Sequence, residues 1–225
     1  DASYDFKDRI PNNTNLVPIY HALTSFSLSA SYISDDFFVL MDDNEGDMTS
    51  VTARGLDIAV GRMPVKDNAE AEQMVNKVIE YHDPKSFGRW RNNFVLISDD
   101  VDKSGEQELE IGLDDLGDQI FAQKPFINVR KIHSDAYVQE TSAGGNRYPK
   151  VREDIISAFE QGAVVFNYFG HGGEDGLAHE RILEKSDVQQ FGNRYKYPLF
   201  VTITCEFTRF DNPYRPTAGE YMFLN

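Results

Sequence analysis

Gly162-Ala163-Val164-Val165-Phe166-Asn167-Tyr168-Phe169-Gly170-His171-Gly172-Gly173-Glu174 is the stretch on which the fold turns. A glycine closes one element, a short apolar and aromatic run follows, and a glycine-framed histidine stands where that run stops. Residues 163–169 read as a strand buried on both faces, as a continuous β-branched and aromatic run does when helices cover a parallel sheet. Upstream, residues 149–160 read as a helix with Pro149 in the first turn and Gly162 just past the end. Downstream, residues 186–191 read as a short helix, with Ser186 and Gln189 as a weak capping box, and 199–204 as the next strand. That strand runs into Cys205, the single cysteine of the chain.

The same alternation continues toward the N-terminus. Asp67 and Glu70 form a capping-box pattern that opens a helix to about Tyr81, with Ala71, Met74, Val75, Val78 and Ile79 on one face. Residues 94–97 are a second continuous apolar run ending in Ser98-Asp99-Asp100. A helix over 106–122, a strand over 127–132 and the elements above complete a βαβ series, so the expected fold is α/β with a mostly parallel sheet. The apolar runs 37–41 and 56–60, on either side of Asp42-Asp43-Asn44-Glu45-Gly46-Asp47, read as a strand pair around an acidic turn. The first 35 residues read as irregular or extended chain. At 225 residues the length suits one domain with a single core. Both ends read as cut from something larger: Asp1-Ala2-Ser3-Tyr4-Asp5 has no strand before it, and 220–224 is a helix just beginning. Such a piece would leave the sheet without its edge partners.

Composition narrows the function. A net charge of −15 repels phosphate backbones, and no basic patch offsets it, so nucleic acid is excluded as a partner. One cysteine makes no internal disulfide, and no apolar stretch approaches a membrane span.

Three strand ends carry chemistry: Asp99 and Asp100, His171, and Cys205. Open α/β sheets place their sites at such ends. A free thiol, with a pKa of about 8.5, is only partly ionised at neutral pH and needs a base at hand; histidine supplies one. Gly170, Gly172 and Gly173 let the backbone turn sharply and present amides, so the Gly172 N–H is a candidate oxyanion donor, with the Cys205 N–H as the second. The plain alternative is a buried cysteine acting as a small hydrophobe beside a turn histidine. A phosphate cradle at 170–176 is excluded by Glu174 and Asp175, and the spacing of His171 and His179 fits no common zinc pattern. Asp100-Val101-Asp102-Lys103-Ser104-Gly105-Glu106 resembles the start of a calcium loop. Asp100, Asp102 and Ser104 are its candidate ligands, although Ile111 stands where the closing glutamate belongs. Calcium as a structural ion is compatible with it; a solvated acidic turn is the simpler reading.

At the histidine and the cysteine the sequence gains relatives. Asn167-Tyr168-Phe169-Gly170-His171-Gly172 resembles the histidine motif of the gingipain family of caspase-like cysteine peptidases. Thr204-Cys205-Glu206-Phe207-Thr208-Arg209-Phe210-Asp211-Asn212-Pro213 and Thr217-Ala218-Gly219-Glu220 are similar to the branch of that family that works as surface sortases in type IX secretion. So are Tyr32-Ile33-Ser34-Asp35-Asp36-Phe37, Ile58-Ala59-Val60-Gly61-Arg62-Met63-Pro64 and Ser98-Asp99-Asp100. The resemblance implies a caspase-like αβα sandwich and a Cys205–His171 dyad. It also implies a supporting acid at Asp100, with Asp99 a close competitor. The implied activity removes the C-terminal signal domain from secreted cargo proteins at the cell surface and passes the cargo to an amine of lipopolysaccharide. The implied partners are that cargo and the outer-membrane components of type IX secretion. No cofactor is required by it. Glu108 stands near where an acidic specificity residue would lie, without a firm alignment.

Overall fold

The computed structural model describes residues 17–21, 33–43, 45, 55–212 and 214–225, and these divide into two compact units. The larger, residues 66–208 with 217–225, holds a four-stranded sheet. Its strands are β1 (Asn93–Ser98), β2 (Asn128–His133), β3 (Val165–Phe169) and β4 (Leu199–Ile203). They lie in the order β4-β3-β1-β2 and every neighbouring pair is parallel. Five helices accompany them: α1 (Asn68–His82), α2 (Gln107–Gln123), α3 (Pro149–Gln161), the single turn α4 (Lys185–Val188) and α5 (Ala218–Leu224).

Alternation along β1 sorts the helices onto two faces. Leu96 points at α2, where a Cβ added to Gly117 would meet the Leu96 side chain at 3.2 Å. Val95 and Ile97 point the other way, into the core that α3 fills with Val151, Ile155, Ala158 and Phe159. Those four recur at helical spacing, which is why the polar remainder of α3 faces solvent. Phe159 stacks on Phe166 of β3 with ring centroids 3.9 Å apart. The chain leaves β2, crosses back over β1 and enters β3, so the winding reverses between β1 and β3. The crevice at such a reversal is the standard ligand site of an open α/β sheet.

Helix starts follow local chemistry. The Asp67 carboxylate accepts the Glu70 N–H at 2.9 Å, and Thr217 and Glu220 cap α5 reciprocally. The turn α4 is shorter than its expected span and is capped by Glu184 and Asp187. The acids win because a carboxylate reaches the free amides with a charge that the Ser186 hydroxyl lacks. On α1 only Met74 is buried, while Val75, Val78 and Ile79 are exposed.

The smaller unit, residues 1–65 with 209–216, pairs Tyr20–His21 antiparallel with Ile33–Ser34. Residues 36–39 form a 3₁₀ turn, not the expected strand. The Ser34 hydroxyl accepts the Asp36 N–H at 3.0 Å and the Asp35 carbonyl accepts the Phe38 N–H at 3.1 Å. Local acceptors thus take the amides a ladder would have used. No strand forms over 56–60 either. Asp57 alone bridges the two runs, donating its N–H to the Val39 carbonyl and accepting the Met41 N–H on its carboxylate at 2.7 Å. Arg62 grips Asp35 with two nitrogens, so two of the separated motifs meet here. Residues 1–16, 22–32, 44, 46–54 and 213 lie outside the described residues, and with them most of the first 35 residues, most of the acidic turn, Tyr32 and Pro213.

Because Ile155 is fully buried against the sheet, Ile155→Ala is expected to cost about 2–5 kcal/mol. Val75→Ala, on the exposed face of α1, should stay within about 0.5 kcal/mol. Urea denaturation midpoints compare the two.

Candidate active site

Parallel pairing sets the geometry of the site. Phe169 lies opposite Ile203 where β3 and β4 end, and the Gly170 N–H carries the ladder one step further, to the Ile203 carbonyl at 3.3 Å. His171 and Cys205 therefore leave their strands at the same height, two residues past the paired ends. The loops touch: a Cβ on Gly172 would lie 2.4 Å from the Thr204 hydroxyl oxygen and 3.3 Å from the Cys205 carbonyl oxygen. A side chain there would collide with the Thr204 side chain and crowd the Cys205 carbonyl. Gly170 is as constrained, since its Cβ would fall 2.4 Å from that of Asp99. Cys205 is exposed, and Glu206 after it holds a left-handed backbone, φ 52°. Such strain in a residue other than glycine is a recurring mark of functional turns.

His171 is held from three directions. Its N–H donates to Asp99 Oδ2 at 2.7 Å, its carbonyl accepts the Tyr168 hydroxyl at 2.6 Å and the Ala178 N–H at 2.9 Å, and its ring Nε2 meets Glu106 Oε1 at 3.1 Å. The bond to His171 is the main reason the Glu106 carboxyl sits below its ordinary range. An ionised carboxylate only accepts, so in the neutral ring Nε2 carries the hydrogen and Nδ1 is the basic nitrogen. The other Glu106 oxygen accepts the N–H groups of Asp102 and Lys103, at 2.9 and 2.8 Å, which fixes the carboxylate before α2 begins.

The expected acids take other positions. Asp99 is buried at the tip of β1 and accepts two amides, those of His171 and Asp100. Burial pushes its carboxyl up to about 6, against the pull of the His171 amide. Asp100, also buried, accepts the Tyr148 hydroxyl at 3.1 Å and the Gln139 amide at 3.4 Å. Neither carboxylate has a hydrogen bond to the His171 ring among the described residues. In the sequence Glu106 stood at the tail of the calcium-like run and at the start of the expected helix over 106–122. What marked it was its place just ahead of a helix that follows a site-bearing strand. Within that run Asp102 and Ser104 are exposed, while Asp100 points inward to Tyr148. Glu108 is exposed on the first turn of α2.

In the hairpin after His171, Gly172 pairs with Leu177 and Gly173 with Gly176. The bond from the Ala178 N–H to the His171 carbonyl marks the neighbouring pair as the hydrogen-bonded one. Alternation then turns the Gly172 N–H away from the partner strand. An apolar recess of about 720 Å³ lies elsewhere, lined by Met74, Val78, Leu199, Phe200 and Met222, with neither His171 nor Cys205 on its wall.

Comparison with known proteins bears on the fold and the family. No curated protein sequence matches the chain significantly. The fold is similar to that of the Arg-specific cysteine proteinase gingipain R (RgpB), with a TM-score of 0.55 and 18% identity over 71% of this chain and 34% of that one. It is equally similar to the complex of the Porphyromonas gingivalis RgpB pro- and mature domains, with a TM-score of 0.54 and 18% identity over 71% and 35%. The chain thus spans about a third of the length of these structures, and the likeness is one of α/β fold with a mostly parallel sheet. The family model of peptidase family C25 matches residues 1–225. The chain belongs to peptidase family C25, the gingipain-like cysteine peptidases.

Proposed function

We propose that this chain is the catalytic part of a PorU-like cell-surface sortase, which cleaves the C-terminal signal domain from type IX secreted cargo and transfers the cargo to a lipopolysaccharide amine. The observation that supports the chemistry best is the meeting of two strand-end loops, one bearing Cys205 and the other a His171 whose ring is oriented by Glu106. Cys205 gives its proton to His171 Nδ1, and Sγ attacks the scissile carbonyl carbon. The Gly172 N–H, turned away from its hairpin partner, faces the oxyanion. The carbon–nitrogen bond then breaks as His171 returns the proton to the leaving amine, and a thioester remains on Cys205. An acceptor amine attacks the thioester, loses its proton to His171 and releases the thiol. Glu106 stabilises the imidazolium formed on the way.

The sortase step, the cargo and the surface location rest on the sequence motifs quoted above. No described helix is long and apolar enough to cross a membrane. The alternatives are a protease that hydrolyses without transfer, and a pseudoenzyme that docks cargo. Incubating the full-length protein with a cargo domain and a small primary amine distinguishes them. An amide-linked product is expected; free acid alone means hydrolysis, and uncleaved cargo means docking.

Alkylation of Cys205 should be fast near neutral pH and slow sharply in His171→Ala; equal rates in the two proteins would remove the dyad. Glu106→Gln is expected to lower kcat by roughly 10²-fold with little change in KM, since it leaves the ring in place but stabilises the imidazolium less. Steady-state kinetics on a chromogenic peptide would show the split.

A further inference from the structure

Behind His171, and outside the chemistry just described, three buried carboxylates converge. Asp99 and Asp100 close β1, and Glu180 comes from the loop after the Gly176–Leu177 strand; they are 2%, 5% and 5% exposed. One oxygen from each lies within 4.8 Å of the other two. The donors that reach them are neutral: the Tyr148 hydroxyl and Gln139 amide on Asp100, and the N–H groups of Asp100 and His171 on Asp99. Among the described residues no lysine or arginine pairs with any of the three. Glu180 Oε2 is buried without a hydrogen-bond partner. A buried carboxylate without a counter-charge costs several kcal/mol, and three together compound that cost.

We propose that Asp99, Asp100 and Glu180 form a divalent-cation site of the calcium type. Two oxygens on opposite sides of a calcium ion, each about 2.4 Å from it, stand about 4.8 Å apart, so the observed spread fits one coordination shell. The ligand set is all oxygen, with no imidazole or thiolate, which selects a hard cation over zinc. Three convergent carboxylates favour calcium over magnesium, which keeps most of its waters and uses one or two. The free oxygen of Glu180 gains a partner by this. The exposed Asp102 and Ser104, candidates from the sequence, have no part in it.

The ion would tie the tip of β1 to the loop at 178–182, where Ala178 and Arg181 hold left-handed backbones, φ 61° and 56°. That loop and Asp99 both bond His171, through the Ala178 N–H and the His171 N–H. The cation is thus a positioning device for the histidine loop, and the site stands whether or not the sortase reading does.

Terbium luminescence tests it, because Tyr148 bonds a ligand carboxylate and can sensitise a bound lanthanide. Full-length protein stripped with a chelator is titrated with Tb³⁺ under tyrosine excitation, then with Ca²⁺ or Mg²⁺ as competitor, and thermal midpoints are read with and without Ca²⁺. A saturable tyrosine-sensitised signal displaced by Ca²⁺ more readily than by Mg²⁺ is expected, with a raised midpoint. Glu180→Gln, which removes a charge without shortening the side chain, should weaken the competing Ca²⁺ by about tenfold or more. Asp102→Asn should leave it unchanged. The proposal fails if Glu180→Gln keeps the wild-type affinity, or if Asp102→Asn loses it. It also fails if Ca²⁺ leaves the wild-type midpoint unmoved while Glu180→Gln alone raises it, because protons then neutralise the cluster.

Discussion

The Asp99 carboxylate, buried at the tip of β1, accepts the backbone N–H of His171 from the neighbouring strand's loop. Everything at the site is arranged around that bond. It joins the two strands between which the winding reverses, and it holds the histidine by its main chain, so the ring stays available to another partner. The close approach of Gly170 to Asp99 is its steric consequence. A buried acid that serves amides in this way acts as a structural clamp, and the His171 ring meets a more exposed acid on a different segment.

Asp99 and Glu106 thus meet different parts of the same residue, the main chain and the ring of His171. A group that fixes a backbone amide must be desolvated and immobile. A group that meets a ring near solvent is held in place by other amides, as Glu106 is through Asp102 and Lys103.

Much of the larger unit was legible in the sequence because its signals are local. Short apolar runs marked β1, β3 and β4, Asp67, Pro149 and Gly162 marked helix ends, and placement after strand ends singled out His171 and Cys205. What escaped depends on contacts between distant residues. The run at 37–41 has strand composition, yet neighbouring hydroxyl and carbonyl groups fold it into a turn. The acid that meets the His171 ring lies 65 positions away in sequence, and its place beside a helix start is the one local sign of it. Glu180 was invisible for the same reason: only the fold brings it to Asp99 and Asp100.

The strand order also carries a consequence for how the molecule comes into being. β1 and β2 are joined by a single helix and can pair early, whereas β3 must insert beside β1, matching Phe166 to Val95 across a long stretch of intervening chain. Such non-local pairing forms late and slowly. Until β3 is in place Asp99 lacks the His171 amide, and until β4 follows the Gly172 loop has no Thr204–Cys205 loop against it. The two strand-end loops that carry His171 and Cys205 thus meet only in the finished sheet.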